Sequence, residues 1–158
     1  MARYDISPSE YDVDGARISI VAARFNDAVV SRLLEGALDI LDRHGLSRDD
    51  TLVVRVPGAF ELPLATRWIA RSAGADAVIA LGAVIRGDTP HFDYVCAEAA
   101  RGIQAASAET GIPVIFGVLT CDDRAQADAR AGGEHGNKGS EAALAALEMV
   151  SLRRRIGA

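Results

Sequence analysis

The stretch Ala77-Val78-Ile79-Ala80-Leu81-Gly82-Ala83-Val84 is apolar at every position, with no alternation of apolar and polar side chains. A strand that reads this way is buried on both faces, the mark of a parallel sheet with helices above and below it. Working outward, Pro113-Val114-Ile115-Phe116-Gly117-Val118-Leu119 repeats the pattern, and Ile18-Ser19-Ile20-Val21-Ala22-Ala23 and Thr51-Leu52-Val53-Val54-Arg55-Val56 add two short β-branched runs. Helical periodicity fills the gaps. Val30, Leu33, Leu34, Ala37, Leu38 and Leu41 recur at spacings of three and four, with Asn26 or Asp27 placed as N-cap and His44-Gly45 as the close. Further helices are predicted over residues 62–72, 92–109 and 124–129, and a last one to about residue 155, after a glycine-rich loop at 132–139. Strict alternation of strand and helix predicts an α/β protein: a three-layer α/β/α flavodoxin-like sandwich on a four-stranded parallel sheet in the order 2-1-3-4.

The 158 residues, 49% hydrophobic and 25% charged, suit one domain over residues 17–158 with a sizeable aliphatic core, since only 5% are aromatic. Residues 1–16 fit neither period and read as an arm or a frayed terminus, free or docked. The opening MARYDISPSEYDVDG is polar and acidic, unlike a secretory signal, and no apolar run approaches the roughly 20 residues of a membrane span. The net charge of −5 argues against a nucleic-acid partner. Cys96 and Cys121 make no disulfide framework and point to a reducing cytoplasm. Arg153-Arg154-Arg155 falls at the end of the last helix, where it complements the helix dipole.

Ligands of open α/β sheets bind beyond the carboxyl ends of the strands. Three such ends carry chemistry: Arg24-Phe25-Asn26-Asp27, then Pro57-Gly58-Ala59-Phe60-Glu61, then Ile85-Arg86-Gly87-Asp88-Thr89-Pro90-His91. Phe25, Phe60 and Phe116 all read as lying at or near strand ends, where an aromatic face suits a planar heterocycle; singly, each reads more readily as a plug of the core. No GxGxxG, GxxxxGK[ST] or paired-acid phosphoacceptor site follows the first strand, and no HExxH or Cys/His cluster suggests a metal. Of the three histidines, His44 reads as a helix cap and His135 is ambiguous in its loop. His91 opens a helix after a glycine-bearing turn, at the rim of the expected pocket. An imidazole there suits proton transfer near neutrality, and the turn's N–H groups and the Thr89 hydroxyl suit an anion such as phosphate.

The segments RFN at 24–26, PGAFELP at 57–63, ALGAVIRGDTPHFDYV at 80–95, GVLT at 117–120 and GNKG at 136–139 resemble the lumazine synthase family, in its order and spacing, over about residues 18–155. The resemblance implies condensation of 5-amino-6-(D-ribitylamino)uracil with 3,4-dihydroxy-2-butanone 4-phosphate, the penultimate step of riboflavin biosynthesis, with no cofactor and no metal. By position in the motifs, Phe25 corresponds to the ring that stacks on the pyrimidine. Ala59, Phe60 and Glu61 correspond to the stretch along the ribityl chain, and Ala83, Val84 and Ile85 to the backbone that binds the uracil. Asp88 and Thr89 correspond to the turn receiving the butanone phosphate, with Arg130 and Lys138 as its cations and His91 as the general acid/base. Phe116 corresponds to an aromatic supplied by an adjacent subunit.

The resemblance also implies a homopentamer whose arm joins a neighbour's sheet, with extension to twelve pentamers in a 60-subunit shell, and functional coupling to riboflavin synthase. One departure stands out: where many of the family carry a lysine before GNKG, this chain has Gly133-Glu134-His135, which leaves open how many cations hold the phosphate. Two other readings compete. A non-catalytic shell of the same fold, binding lumazine or flavin, would have no need of His91 and Arg130. A flavodoxin-like electron carrier would need a Ser/Thr-rich phosphate loop after the first strand, which is absent.

Overall fold

Strands β1 (Ile18–Ala23), β2 (Val53–Val56), β3 (Ala77–Ile85) and β4 (Val114–Cys121) pair in parallel in the order β2-β1-β3-β4, as the alternation predicted. The structure is a computed structural model that describes residues 3–72 and 74–158. Helices α1 (Asp27–Arg43) and α5 (Lys138–Ile156) cover one face of the sheet, and α2 (Leu62–Ser72) and α3 (His91–Thr110) cover the other. Helix α4 (Arg124–Arg130) follows β4, and a small antiparallel pair, β5 (Ala131–Gly133) and β6 (Gly136–Asn137), leads into α5. The glycine-rich segment expected as a plain loop is therefore a tight hairpin. Glycine carries neither the branching nor the alternation by which a strand is read, so composition hid it.

Two cores result. Val29, Val30, Leu33 and Leu41 of α1 meet Ala143, Leu147 and Val150 of α5 over Ile20, Ile79 and Leu81, while Leu62, Ala99 and Ile103 close on Val21, Val78 and Ala80. Alternate residues of β3 feed the two sides, and this central strand is buried on both faces as expected. Strand β4 is not. Phe116 and Thr120, on the face that Val114 and Val118 share, are exposed, because β4 is the sheet edge and its helical cover is incomplete.

The α1–α5 crossing explains much of the GNKG segment. A Cβ on Gly139 would lie 1.9 Å from the Leu33 carbonyl oxygen, and one on Gly36 would lie 2.5 Å from the Asn137 side chain. Asn137 caps α5 by accepting from the Gly139 and Ser140 amides at 2.8 and 3.1 Å, and donates to Arg32 O at 3.0 Å. The helices thus cross backbone to backbone, and only glycine fits there.

At the start of α1 the expected cap is absent: Asn26 has φ 58° and makes no side-chain cap bond, because its amide is directed to Ala83 O instead. Residues 1–2 of the expected arm lie outside the described residues. From Tyr11 onward the stretch packs on its own chain, with Val13 and Ala16 in the α1–α5 core, and residues 8–10 form a 3₁₀ turn where no helix was expected. Arg154 donates to Asp12 Oδ1 and to the Asp12 and Asp14 carbonyls at 3.0–3.2 Å, and Arg155 pairs with Glu10 at 3.7 Å. The terminal arginines therefore do more than complement a dipole: they bind the N-terminal segment.

Candidate active site

The carboxyl ends of β1 and β3, the turn after β2 and the start of α3 enclose an open cleft of about 770 Å³. Its lining holds Phe25, Ala59, Phe60, Glu61, Ala83, Val84, Ile85, Thr89 and His91, nine of the residues anticipated from sequence. The volume suits a small organic ligand. Phe25 is 72% exposed and Phe60 58%, so neither ring plugs the core; each stands free at the rim with a face open for stacking. Phe92, the phenylalanine not singled out from sequence, is buried and also lines the cleft, and Arg86 lies 4.3 Å above its ring.

Local bonds hold these groups in place. The Phe25 amide donates to Pro57 O at 3.0 Å, and the Arg24 amide to Val56 O at 2.7 Å, tying the β1 end to the β2 end. Glu61 accepts from the Gly58 amide at 3.0 Å through one carboxylate oxygen, which closes the 3₁₀ turn Ala59–Glu61 at the cleft wall. Arg86 donates to Asp122 at 2.9 Å and to Asp93 at 3.3 Å, so the turn before His91 is pinned to both α3 and the end of β4. Asp122 and Asp93 keep the Arg86 guanidinium firmly charged. The His91 amide donates to Thr89 Oγ1 at 3.4 Å, and the imidazole is exposed on the first turn of α3. Burial pushes the Cys96 and Cys121 thiols up, so neither is poised as a thiolate nucleophile.

Four anticipated residues lie outside the lining of this cleft. Asp88 sits in the turn beside it. Phe116 is the third residue of β4, opposite Ala80 in mid-strand, and not near the carboxyl end where sequence reading set it; the strand runs two residues further than expected. Arg130, at the end of α4, donates to Gln126 O at 3.1 Å, and Lys138 pairs with Glu141 at 2.7 Å. Sequence reading in turn missed Tyr94 and Val95, which line the cleft from α3. Their spacing of three and four from His91 was the available signal.

The cleft combines two free aromatic faces, an open strand edge, a polar turn at the start of α3 and one imidazole, which suits proton-transfer chemistry on a flat ring. The comparisons agree. A protein of Desulfovibrio desulfuricans named 6,7-dimethyl-8-ribityllumazine synthase is 52% identical over 147 residues, covering 93% of this chain and 94% of its own length. One of the same name from Nitratidesulfovibrio vulgaris is 51% identical over 147 residues with the same coverage. The family model described as 6,7-dimethyl-8-ribityllumazine synthase matches residues 15–154, and the chain belongs to that family.

Proposed function

We propose that this protein is a transferase that condenses 5-amino-6-(D-ribitylamino)uracil with 3,4-dihydroxy-2-butanone 4-phosphate to give 6,7-dimethyl-8-ribityllumazine, phosphate and water. The observation that carries the reading is the meeting of the free Phe25 ring, the open end of β3 and His91 in one cleft of a chain of this family. The pyrimidine stacks on Phe25 and lies against the strand end formed by Ala83, Val84 and Ile85, while its ribityl chain runs past Ala59, Phe60 and Glu61. The phosphorylated ketone takes the turn at Asp88 and Thr89. The amine attacks the ketone carbonyl, a Schiff base forms with loss of one water, phosphate leaves, isomerisation gives a new carbonyl, and the ribitylamino nitrogen closes the ring on it with loss of a second water. Each step moves a proton within reach of one imidazole, the part assigned to His91. Holding both substrates in register supplies much of the remaining acceleration.

Arg130 and Lys138 complete the phosphate site and Phe116 the ring site from a neighbouring chain. Support for this comes from their positions outside the cleft of their own chain and from the surface left open. Phe60, Leu64 and Trp68, at successive spacings of four, are 58%, 51% and 62% exposed, and among the described residues nothing pairs with either edge of the four-stranded sheet. A ring of five, with the residues before Tyr11 on a neighbour's sheet, covers these surfaces. The compact hairpin before α5 is compatible with closure of such rings into a shell. Among the described residues no helix is long and apolar enough to cross a membrane, and the two free thiols suit a reducing cytoplasm, where the product passes to a riboflavin synthase.

The test is to incubate the purified protein with both substrates and follow lumazine absorbance. Product that requires both substrates is the expected result. Tight binding of the uracil with no product would instead identify a non-catalytic binding shell.

A further inference from the structure

The β1–β3 ladder ends at Ala22 and Leu81, while β3 continues beside β4 to Ile85 opposite Cys121. Along a strand, successive residues turn their N–H and C=O groups to alternate edges. Val78 N donates to Pro113 O at 2.8 Å and Arg86 N to Cys121 O at 2.9 Å, so even-numbered residues of β3 face β4. Ala83 and Ile85 therefore face the vacated side, and both line the cleft. Asn26 stands at this gap. Among the described residues it is the only non-glycine with positive φ, at 58°, and its side-chain amide donates to Ala83 O at 2.8 Å.

We propose that Asn26 is a positioning residue that sets the register in which the heterocycle reads β3. Its amide acts as one more rung of the β1–β3 ladder and occupies the Ala83 carbonyl. The N–H and C=O of Ile85 remain as the free donor–acceptor pair, the complement of a uracil edge on which a ring N–H adjoins a carbonyl. The left-handed turn at Asn26 meanwhile fixes Phe25, one residue earlier, as the stacking face above that pair. With the Ala83 carbonyl free, a ring can settle one rung back, about 7 Å along the strand and out of line with His91. The inference rests on the cleft being the site of the ribitylaminouracil.

The test uses the assembled full-length protein and two variants. Asn26→Gly accepts the left-handed turn without strain and removes only the amide. Asn26→Asp keeps the shape but sets a carboxylate against the Ala83 carbonyl. For Asn26→Gly the KM for the ribitylaminouracil is expected to rise about tenfold, the equivalent of one lost hydrogen bond, with the KM for the butanone phosphate changed by less than about twofold. For Asn26→Asp the rise is larger at neutral pH. Measured against the unsubstituted protein, it shrinks as the pH falls, because the protonated acid donates to Ala83 O again; Asn26→Gly shows no such recovery. An unchanged uracil KM in Asn26→Gly, equal losses for both substrates, or no acid recovery in Asn26→Asp would overturn the proposal. Lumazine formation by the unsubstituted protein in the same assay separates these outcomes from failure of the functional reading, which would take the inference down with it.

Discussion

His91 stands exposed on the first turn of α3, held by the turn that Arg86 pins and not by its own ring, so its removal leaves the cleft walls in place. His91→Ala is therefore expected to lower kcat by about 10²–10⁴-fold, the usual range for a general acid–base group, with a much smaller change in ribitylaminouracil binding; steady-state kinetics with a binding titration check both. Arg130→Ala is expected to raise the KM for the butanone phosphate and leave uracil binding nearly intact, because a guanidinium fork on phosphate is lost; equal weakening of both substrates would assign Arg130 a structural part. Phe25, Phe60 and His91 were legible in the sequence because each lies in the short turn after a strand or opens a helix, which fixes its place at the sheet end. Phe116 was misplaced because apolar character does not mark where an edge strand stops, and here β4 runs on through Thr120 to Cys121. The role of Asn26 was hidden because an Asn before a helix reads as a cap, and only the fold reveals the carbonyl that competes for its amide.

Among the elements, the α1–α5 crossing is the contact least tolerant of change. Gly139→Ala would drive a methyl into the Leu33 carbonyl and is expected to destabilise the protein by about 3 kcal/mol, the upper part of the overpacking range, read as a lowered denaturation midpoint. Charge pairs join other elements: Asp128 of α4 pairs with Arg32 of α1 and Arg124 of its own helix, and Asp27 pairs with Arg55 of β2. Hydrogen bonds from Arg124 and Arg55, respectively, are the chief cause that holds these carboxyls below their ordinary values. A folded-state value below the unfolded one gives stability that is present above the unfolded value and lost as the pH falls through the folded one. Melting temperature is thus expected to fall on the acid side of the carboxylate range, and Asp128→Asn to flatten that limb slightly, since the pairs are solvent-exposed. Strand β3 was legible from its unbroken apolar run and the long helices from their periodicity. The hairpin before α5 and the clamp of Arg154 on Asp12 and Asp14 were not, since neither glycine composition nor a run of arginines names its partner.

On the scale of the whole molecule, the alternation of strand and helix and the fully apolar β3 were enough to foresee sheet order and layering, because a strand buried on both faces has to be central. On the proposed reading, the far side of the cleft comes from a neighbouring chain. Phe25 and His91 are in the lining while Phe116, Arg130 and Lys138 are not, and the exposed stripe of Phe60, Leu64 and Trp68 lies beside the opening. In the proposed ring, with subunits joined head to tail, one chain's cations would reach the next chain's cleft, and the mass in solution is expected to be that of a pentamer or a multiple of it. The most direct test of the account is subunit complementation. His91→Ala and Arg130→Ala chains, each nearly inactive at limiting butanone phosphate, are unfolded, mixed in equal amounts and reassembled. A site shared between neighbours predicts recovery of about a quarter of the unsubstituted activity, the fraction of clefts that draw an intact His91 from one chain and an intact Arg130 from the next. No recovery above the two variants alone, in a mixture whose mass shows that the rings have formed, would contradict it.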